Sequence, residues 1–258
     1  KAHSIRADLF YQAKEFDRAR AALRKVISLD KSRYLVWEQL LFTESELKDF
    51  DAMDEESAKA IELFPQQPLP YLFAAVANFQ KEDFEKAVDV LERGVRFVVD
   101  NELLKSQFYS YLGDAYHELD ENDKAFSYYE KALKIEPENS MVLNNYAYYL
   151  SLQGKDLEKA LEMAKKAVEL DPNNASNQDT YGWIFFKLGR YEEAREWVEK
   201  SLKNQNEDNG VILEHLGDIF YKLGEKEKAL KYWRKAKKAG GDVTDLLDQK
   251  INDKKLYE

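Results

Sequence analysis

The chain has 258 residues, of which 44% are hydrophobic and 34% are charged, and its formal net charge at pH 7 is −10. This acidic balance argues against general binding to nucleic acid or to membrane surfaces, because both attract a surplus of Lys and Arg. With no cysteine, the chain has no disulfide framework, thiol nucleophile or thiolate metal site, and it contains no apolar run of about 18 residues to span a bilayer.

The chain opens with KAHSIRADLF, which lacks the apolar core of a signal peptide, and its first residue is lysine. We therefore expect a piece of a longer protein, with any targeting signal lost along with the missing part. The compartment stays open between the bacterial cytoplasm and the cell envelope or periplasm.

Segments rich in Ala, Leu, Glu and Lys fill most of the chain, and spaced glycines and prolines separate them, which predicts an all-α protein. The segments pair into units, whose starts we place near residues 1, 34, 68, 106, 140, 175 and 210. The pattern is less clear in the first three units, where it is carried by Phe16 with Ala19, Phe50 with Met53, and Phe84 with Ala87. Turn formers or a longer connection interrupt the period at FPQQPLP, RFVVDNELL and KNQNEDNGV.

The later units repeat a small residue at a fixed distance before an alanine. Each glycine is followed three residues on by an aromatic residue and twelve residues on by an alanine, in the pairs Gly113 and Ala125, Gly182 and Ala194, and Gly217 and Ala229. The fifth unit departs mildly from this pattern, with Ala147 in place of the glycine and one extra residue in QGKDLEKA. Prolines that close a unit stand at Pro65, Pro137 and Pro172. Small residues at these positions predict that the two helices of a unit cross closely.

This pattern resembles the tetratricopeptide repeat (TPR), in which a small residue, an aromatic residue, a central alanine and a closing proline recur in each unit. The resemblance implies a right-handed α-solenoid of about seven helix-turn-helix repeats over residues 1–241, similar to the C-terminal part of long bacterial TPR proteins. Two helices alone bury too little apolar surface, so neighbouring units must stack to complete the core.

A C-terminal capping helix is predicted over residues 242–258. Val243, Leu246, Leu247 and Ile251 fall on one helical face of this segment. A solenoid needs such a terminal element to cover the exposed end of its core.

The sequence contains no pattern typical of a catalytic or metal-binding site. The three histidines, His3, His117 and His215, lie in different units without metal-ligand spacing. Neither a G-x-S-x-G nucleophile elbow nor a Gly-rich phosphate loop is present. We therefore expect no enzyme activity, no metal and no cofactor.

The remaining candidate is the face of each first helix, which the resemblance implies to line a concave partner-binding groove. The residues on this face are Tyr111, Asp114, His117, Asn144, Asn145, Tyr148, Asp179, Trp183, Phe186, Glu214, Asp218 and Tyr221. Rings beside carboxylates favour a peptide or protein partner with apolar side chains and Lys or Arg, whose main chain the two asparagines would bind. Trp183 is expected to anchor this partner. The alternative for each ring is that it packs between adjacent first helices.

One TPR subfamily, the chaperone adaptors, clamps a C-terminal carboxylate with Lys, Asn, Asn, Lys and Arg over three units. Asn145 matches one position of this clamp, but the other four hold Ser110, Asp114, Ser176 and Thr180. The sequence therefore lacks the clamp, and binding of an acidic chaperone tail is disfavoured.

The resulting hypothesis is a non-catalytic, monomeric scaffold or adaptor that binds a peptide or protein partner, within a bacterial multiprotein assembly. Two alternatives stay open. The chain could be the recognition arm of a larger enzyme, such as a transferase, whose catalytic domain lies outside it. It could also be a structural element that stacks its open N-terminal end on another copy.

Overall fold

The computed structural model describes residues 2–205, 208–241 and 243–257, with residues 2–4 described by their backbone alone. This part of the chain contains α-helices, one short 3-10 helix and no strand, so the predicted all-α class is confirmed. None of the helices in it combines the length and the apolarity needed to cross a membrane. The helices group into two compact units, Lys1–Glu136 and Pro137–Glu258.

The first unit consists of four successive helix pairs. These are α1 (Ala2–Gln12) with α2 (Phe16–Leu29), α3 (Tyr34–Leu47) with α4 (Phe50–Leu63), α5 (Pro68–Gln80) with α6 (Phe84–Gly94), and α7 (Glu102–Glu118) with α8 (Asn122–Ile135). The 3-10 helix, Val95–Phe97, directly follows α6. The helix α7 begins at Glu102 rather than near residue 106, because Asn101 caps it by accepting a hydrogen bond from the Leu104 N–H at 3.0 Å.

The second unit consists of three helix pairs and a final short helix. These are α9 (Ser140–Leu152) with α10 (Leu157–Leu170), α11 (Ala175–Lys187) with α12 (Tyr191–Lys203), and α13 (Gly210–Lys222) with α14 (Lys226–Ala239), followed by α15 (Leu247–Asp253). The first helices start after Asn139, Asn174 and Asn209, whose side chains each accept a backbone N–H of the first turn. The seven predicted helix pairs are therefore present in the two units together.

The small residues lie where the two helices of a pair cross. A Cβ atom added at Gly113 would come 2.5 Å from the Tyr129 ring, and one at Gly217 would come 2.3 Å from the Trp233 ring. The corresponding alanines of the second helices, Ala125, Ala194 and Ala229, are fully buried. Protein interiors are close-packed, so these positions accept no larger side chain without rearrangement, and the predicted close crossings are confirmed.

The C-terminal segment differs from the helix predicted over residues 242–258. The helix covers only Leu247–Asp253, and residues 242 and 258 lie outside the described part of the chain. Thr244 precedes the helix, and its N–H donates to the Glu214 side chain at 2.8 Å. The helix stops at Lys254, which adopts a left-handed conformation with φ 51°. Leu247 is buried in the core of the second unit, so the segment does pack on that unit, although it is shorter than expected.

Candidate functional site

In the first unit, three predicted groove residues, Tyr111, Asp114 and His117, lie half-buried on α7. Burial raises the pKa of Tyr111, and the neighbouring carboxylate of Asp114 raises it further. Asp114 accepts a hydrogen bond from the hydroxyl of Tyr129, and the His117 Nδ1 lies 3.1 Å from the Asn122 Oδ1. Both polar side chains are therefore held by the helix pair to which they belong.

In the second unit, three of the predicted residues lie on the helix α9. Asn144, Asn145 and Tyr148 are all half-buried. The Asn144 Nδ2 donates to the Asn145 Oδ1 at 3.3 Å, whereas the Asn144 Oδ1 is buried without a hydrogen-bond partner in the described part of the chain. The Asn144 carbonyl oxygen thus leaves hydrogen-bonding capacity unused.

The predicted residues of α11 are buried. Trp183 is only 7% exposed, and its ring stacks on His215 with centroids 4.0 Å apart and on Phe186 at 4.7 Å. Asp179 accepts a hydrogen bond from the His215 Nδ1 at 2.9 Å. The expectation that Trp183 stands open as an anchor is therefore corrected, because the next first helix, α13, covers the ring.

Glu214 and Asp218 on α13 are buried under the C-terminal segment. The Nζ of Lys250, a residue only 2% exposed, lies 2.8 Å from the Glu214 Oε1 and 2.8 Å from the Asp218 Oδ2. The Trp233 Nε1 also donates to Asp218, at 2.7 Å. Burial raises the pKa of Asp218 to about 6, although Lys250 opposes the rise.

These contacts correct the expectation that Glu214 and Asp218 face an open groove, because their oxygens are occupied by groups of the same chain. Tyr221, the last predicted residue, is half-buried and stacks on Trp233 with centroids 5.8 Å apart.

Lys250 is not among the residues predicted from the sequence, although its spacing from Glu214 indicates it. His215 binds Asp179 from 36 residues along the chain, and Lys250 binds Glu214 from the same distance of 36 residues. The segment that carries Lys250 therefore contacts α13 in the way that α13 contacts α11. A basic residue one repeat after a buried carboxylate would have been the signal.

No group of three or more His, Asp or Glu side chains that could hold a metal ion occurs in the described ranges, which exclude the side chain of His3. The geometry thus consists of stacked helix pairs with polar and aromatic side chains along their first helices. Such an arrangement defines a helical repeat protein.

The family follows from comparison with known proteins. Four family models, each described as a tetratricopeptide repeat, match residues 1–33, 106–139, 128–162 and 151–246. The chain belongs to the tetratricopeptide-repeat proteins. Proteins of this family are generally non-catalytic scaffolds for protein-protein interaction.

Individual relatives agree with this assignment. An uncharacterised protein of Pyropia yezoensis, ycf37, is 30% identical over 132 residues, which are 49% of this chain and 71% of that protein. The crystal structure of a TPR protein from Parabacteroides merdae aligns with a TM-score of 0.75 at 13% identity, covering 98% of this chain and 97% of that one. YrrB, described as a TPR protein with an unusual peptide-binding site, aligns with a TM-score of 0.56 at 21% identity, covering 71% of this chain and 92% of that one. The two structural alignments show a shared fold.

Proposed function

We propose that the chain is a non-catalytic scaffold that binds an extended segment of a partner protein along its first helices, with α9 as the point of entry in the second unit. The family supports this role, and the fold that the chain shares with YrrB, a protein described as having a peptide-binding site, is compatible with it. Asn144, Asn145 and Tyr148 are half-buried, so a partner could reach them from solvent.

One observation carries the proposal, namely buried polar atoms without partners on adjacent first helices. The Asn144 Oδ1, the Asp179 Oδ1 and the Trp183 Nε1 have no hydrogen-bond partner among the described residues. Buried polar atoms in native proteins are nearly always paired, and an unpaired one costs on the order of 1–3 kcal/mol. Of the three residues, Asn144 is half-buried and not fully buried, and a peptide main-chain N–H would supply the donor that its Oδ1 lacks.

The next repeat indicates which chemical groups of a partner would pair with a carboxylate at the position of Asp179. Glu214 follows Asp179 at the same place in the repeat, and its carboxylate is satisfied by the Thr244 main-chain N–H and the Lys250 ammonium. A partner that supplies a main-chain N–H and a Lys or Arg side chain would satisfy Asn144 and Asp179 in the same way. Trp183, which α13 covers, is not an anchor that a ligand desolvates.

The experiment is a selection of random peptides on the immobilised chain, followed by calorimetric titration of the selected peptides. Asn144→Ala should weaken their binding roughly tenfold, the equivalent of one lost hydrogen bond to a buried group. Asn252→Ala is the matched control, since Asn252 is an exposed asparagine on a helix of the same unit. Equal affinity of the selected peptides for the Asn144 variant and the native chain would exclude this face, and failure to select any peptide would count against a peptide-binding scaffold.

A further inference from the structure

A cavity of about 340 Å³ lies in the first unit, where α3, α5 and α7 begin. We call this cavity the loop pocket. It is bounded by the two segments that interrupt the repeat period in this unit, FPQQPLP before α5 and RFVVDNELL before α7. Leu104 lines it in the first turn of α7, and a helix rises about 1.5 Å per residue, so the loop pocket lies roughly 10 to 20 Å from Tyr111 and His117. It is therefore separate from the face described above.

Tyr71 connects the two interrupting segments. Its hydroxyl donates to the Pro65 carbonyl at 3.0 Å, and its ring centroid lies 5.6 Å from that of Phe97. Tyr71 is buried, and a Cβ atom at Gly94 would come 2.4 Å from its Cβ, so α6 approaches it as closely as a glycine permits. The walls of the loop pocket are thus fixed by the core of the unit.

The lining of the loop pocket is largely apolar. Its apolar members are Pro68, Leu69, Phe97, Val98, Val99 and Leu104. Val99 is 74% exposed, and the neighbouring Leu103 is also exposed. Exposed apolar area beside a formed cavity is area that an apolar side chain of a partner would remove from water.

The charge at the loop pocket is negative. Glu38 and Asp100 line it, and the lining includes no Lys or Arg. Neither carboxylate forms an ion pair with another described residue, whereas the nearby Lys105 is engaged with Glu102 at 3.6 Å. The loop pocket is therefore complementary to a cation.

The amino ends of three helices lie at the same place, and such ends attract anions through about half a positive charge each, within the first turn only. At α5 and α7 some of the first-turn N–H groups are absent or already occupied. Asn101 accepts the Leu104 N–H at 3.0 Å, and Pro68 and Pro70 in the first turn of α5 have no N–H to donate. The two full negative charges of Glu38 and Asp100 therefore determine the sign of the charge at the loop pocket.

We propose that the loop pocket is a second docking site, which takes an apolar side chain of a partner peptide that is followed closely by Lys or Arg. The apolar side chain fills the cavity between Leu69, Val98 and Leu104, and the cation pairs with Glu38 and Asp100. The site is independent of α9, so a scaffold that lost one of the two sites would keep the other.

The test uses methyl NMR spectra of the full chain, because Leu69, Val98, Val99 and Leu104 supply resolved methyl probes inside the loop pocket. Three short peptides in a glycine-serine background are titrated, with the centres Leu-Leu-Lys-Arg, Leu-Leu-Glu-Glu and Ser-Ser-Lys-Arg. The first should shift these four residues and bind roughly tenfold more tightly than the other two, since both the apolar and the cationic contact are needed. Equal binding of all three, tighter binding of the acidic peptide, or shifts confined to other methyls would overturn the proposal.

Variants test the same contacts from the side of the protein. Val99→Ser, and separately Glu38→Gln with Asp100→Asn, should each weaken binding of the first peptide roughly tenfold, while Glu85→Gln and Leu170→Ser leave it unchanged. Of the five substituted positions, Glu38 is half-buried and the other four are exposed, so the variants should fold, and their unperturbed core methyls would show it. A native affinity in both pocket variants would overturn the proposal. The Asn144→Ala variant should bind this peptide normally, which separates failure at the loop pocket from failure at α9.

Discussion

Replacing Lys250 with methionine is expected to undock the C-terminal segment. The substitution keeps the length and apolar stem of the side chain but removes the ammonium group that lies between Glu214 and Asp218. All three side chains are nearly inaccessible, with exposed fractions of 3%, 3% and 4%. The two carboxylates would be left in the core without a counter-charge.

The magnitude follows from the geometry. At the observed 2.8 Å, two unit charges attract by roughly 6 kcal/mol at an effective dielectric constant near 20, and the cost of removing the charges from water offsets much of this. Removal of the cation alone leaves that cost uncompensated, for which losses of about 3–5 kcal/mol are typical. Two effects reduce the loss. The Trp233 Nε1 still donates to Asp218, and detachment of α15 would return both carboxylates to water. We therefore expect a loss of about 3 kcal/mol.

Urea unfolding measures the loss, and hydrogen exchange over residues 243–257 shows whether it is local. Lys237→Met is the matched control, because Lys237 joins α14 to Asp248 on α15 at 2.7 Å with both side chains at least 60% exposed, and such pairs contribute about 1 kcal/mol or less. Adding Glu214→Gln and Asp218→Asn to Lys250→Met should recover part of the loss, since no buried charge then remains. If Lys250→Met costs no more than Lys237→Met, the buried ion pair does not hold the segment.

Three further outcomes are expected. Trp183→Ala should lower the free energy of unfolding by about 3–5 kcal/mol through loss of a buried ring; an unchanged urea midpoint would mean that α13 does not cover it. Because burial raises the pKa of Asp218 from 3.8 to about 6, the folded chain keeps a proton there that the unfolded chain releases, so this group's contribution to stability falls as pH rises through that window. Asp218→Asn should remove this contribution to the pH dependence of the free energy of unfolding, measured by urea titrations at several pH values. An NMR titration midpoint near 4 for the Asp218 carboxyl would contradict this prediction. Gly217→Ala should lower the melting temperature more than Gly182→Ala, because its Cβ would come 2.3 Å from the Trp233 ring, whereas the Cβ at position 182 would come 2.6 Å from a Val198 methyl and 3.1 Å from backbone atoms of α12; equal losses would refute this ranking.

Much of the fold could be predicted from the sequence because its signals are local. The distance from Gly217 to Ala229 is set by a helix, a turn and a second helix, so it recurs wherever two helices of a pair must cross closely. Caps such as Asn174 act within one turn. Each of these features depends on residues that lie within one repeat. The same signals therefore recur in successive repeats.

The accessibility of the candidate site was decided by the tertiary structure. The periodicity of α11 places Trp183 on a polar and aromatic face, but its burial depends on His215, which stacks on it from the next repeat. Glu214 likewise lies on the predicted face, yet Lys250 occupies it from a segment outside the repeat pattern. The loop pocket forms where Tyr71 connects the two segments that interrupt the repeat period, FPQQPLP and RFVVDNELL. Helical periodicity specifies which side of a helix a residue lies on, whereas packing of residues a full repeat or more apart determines whether that side meets water, a partner or the chain itself.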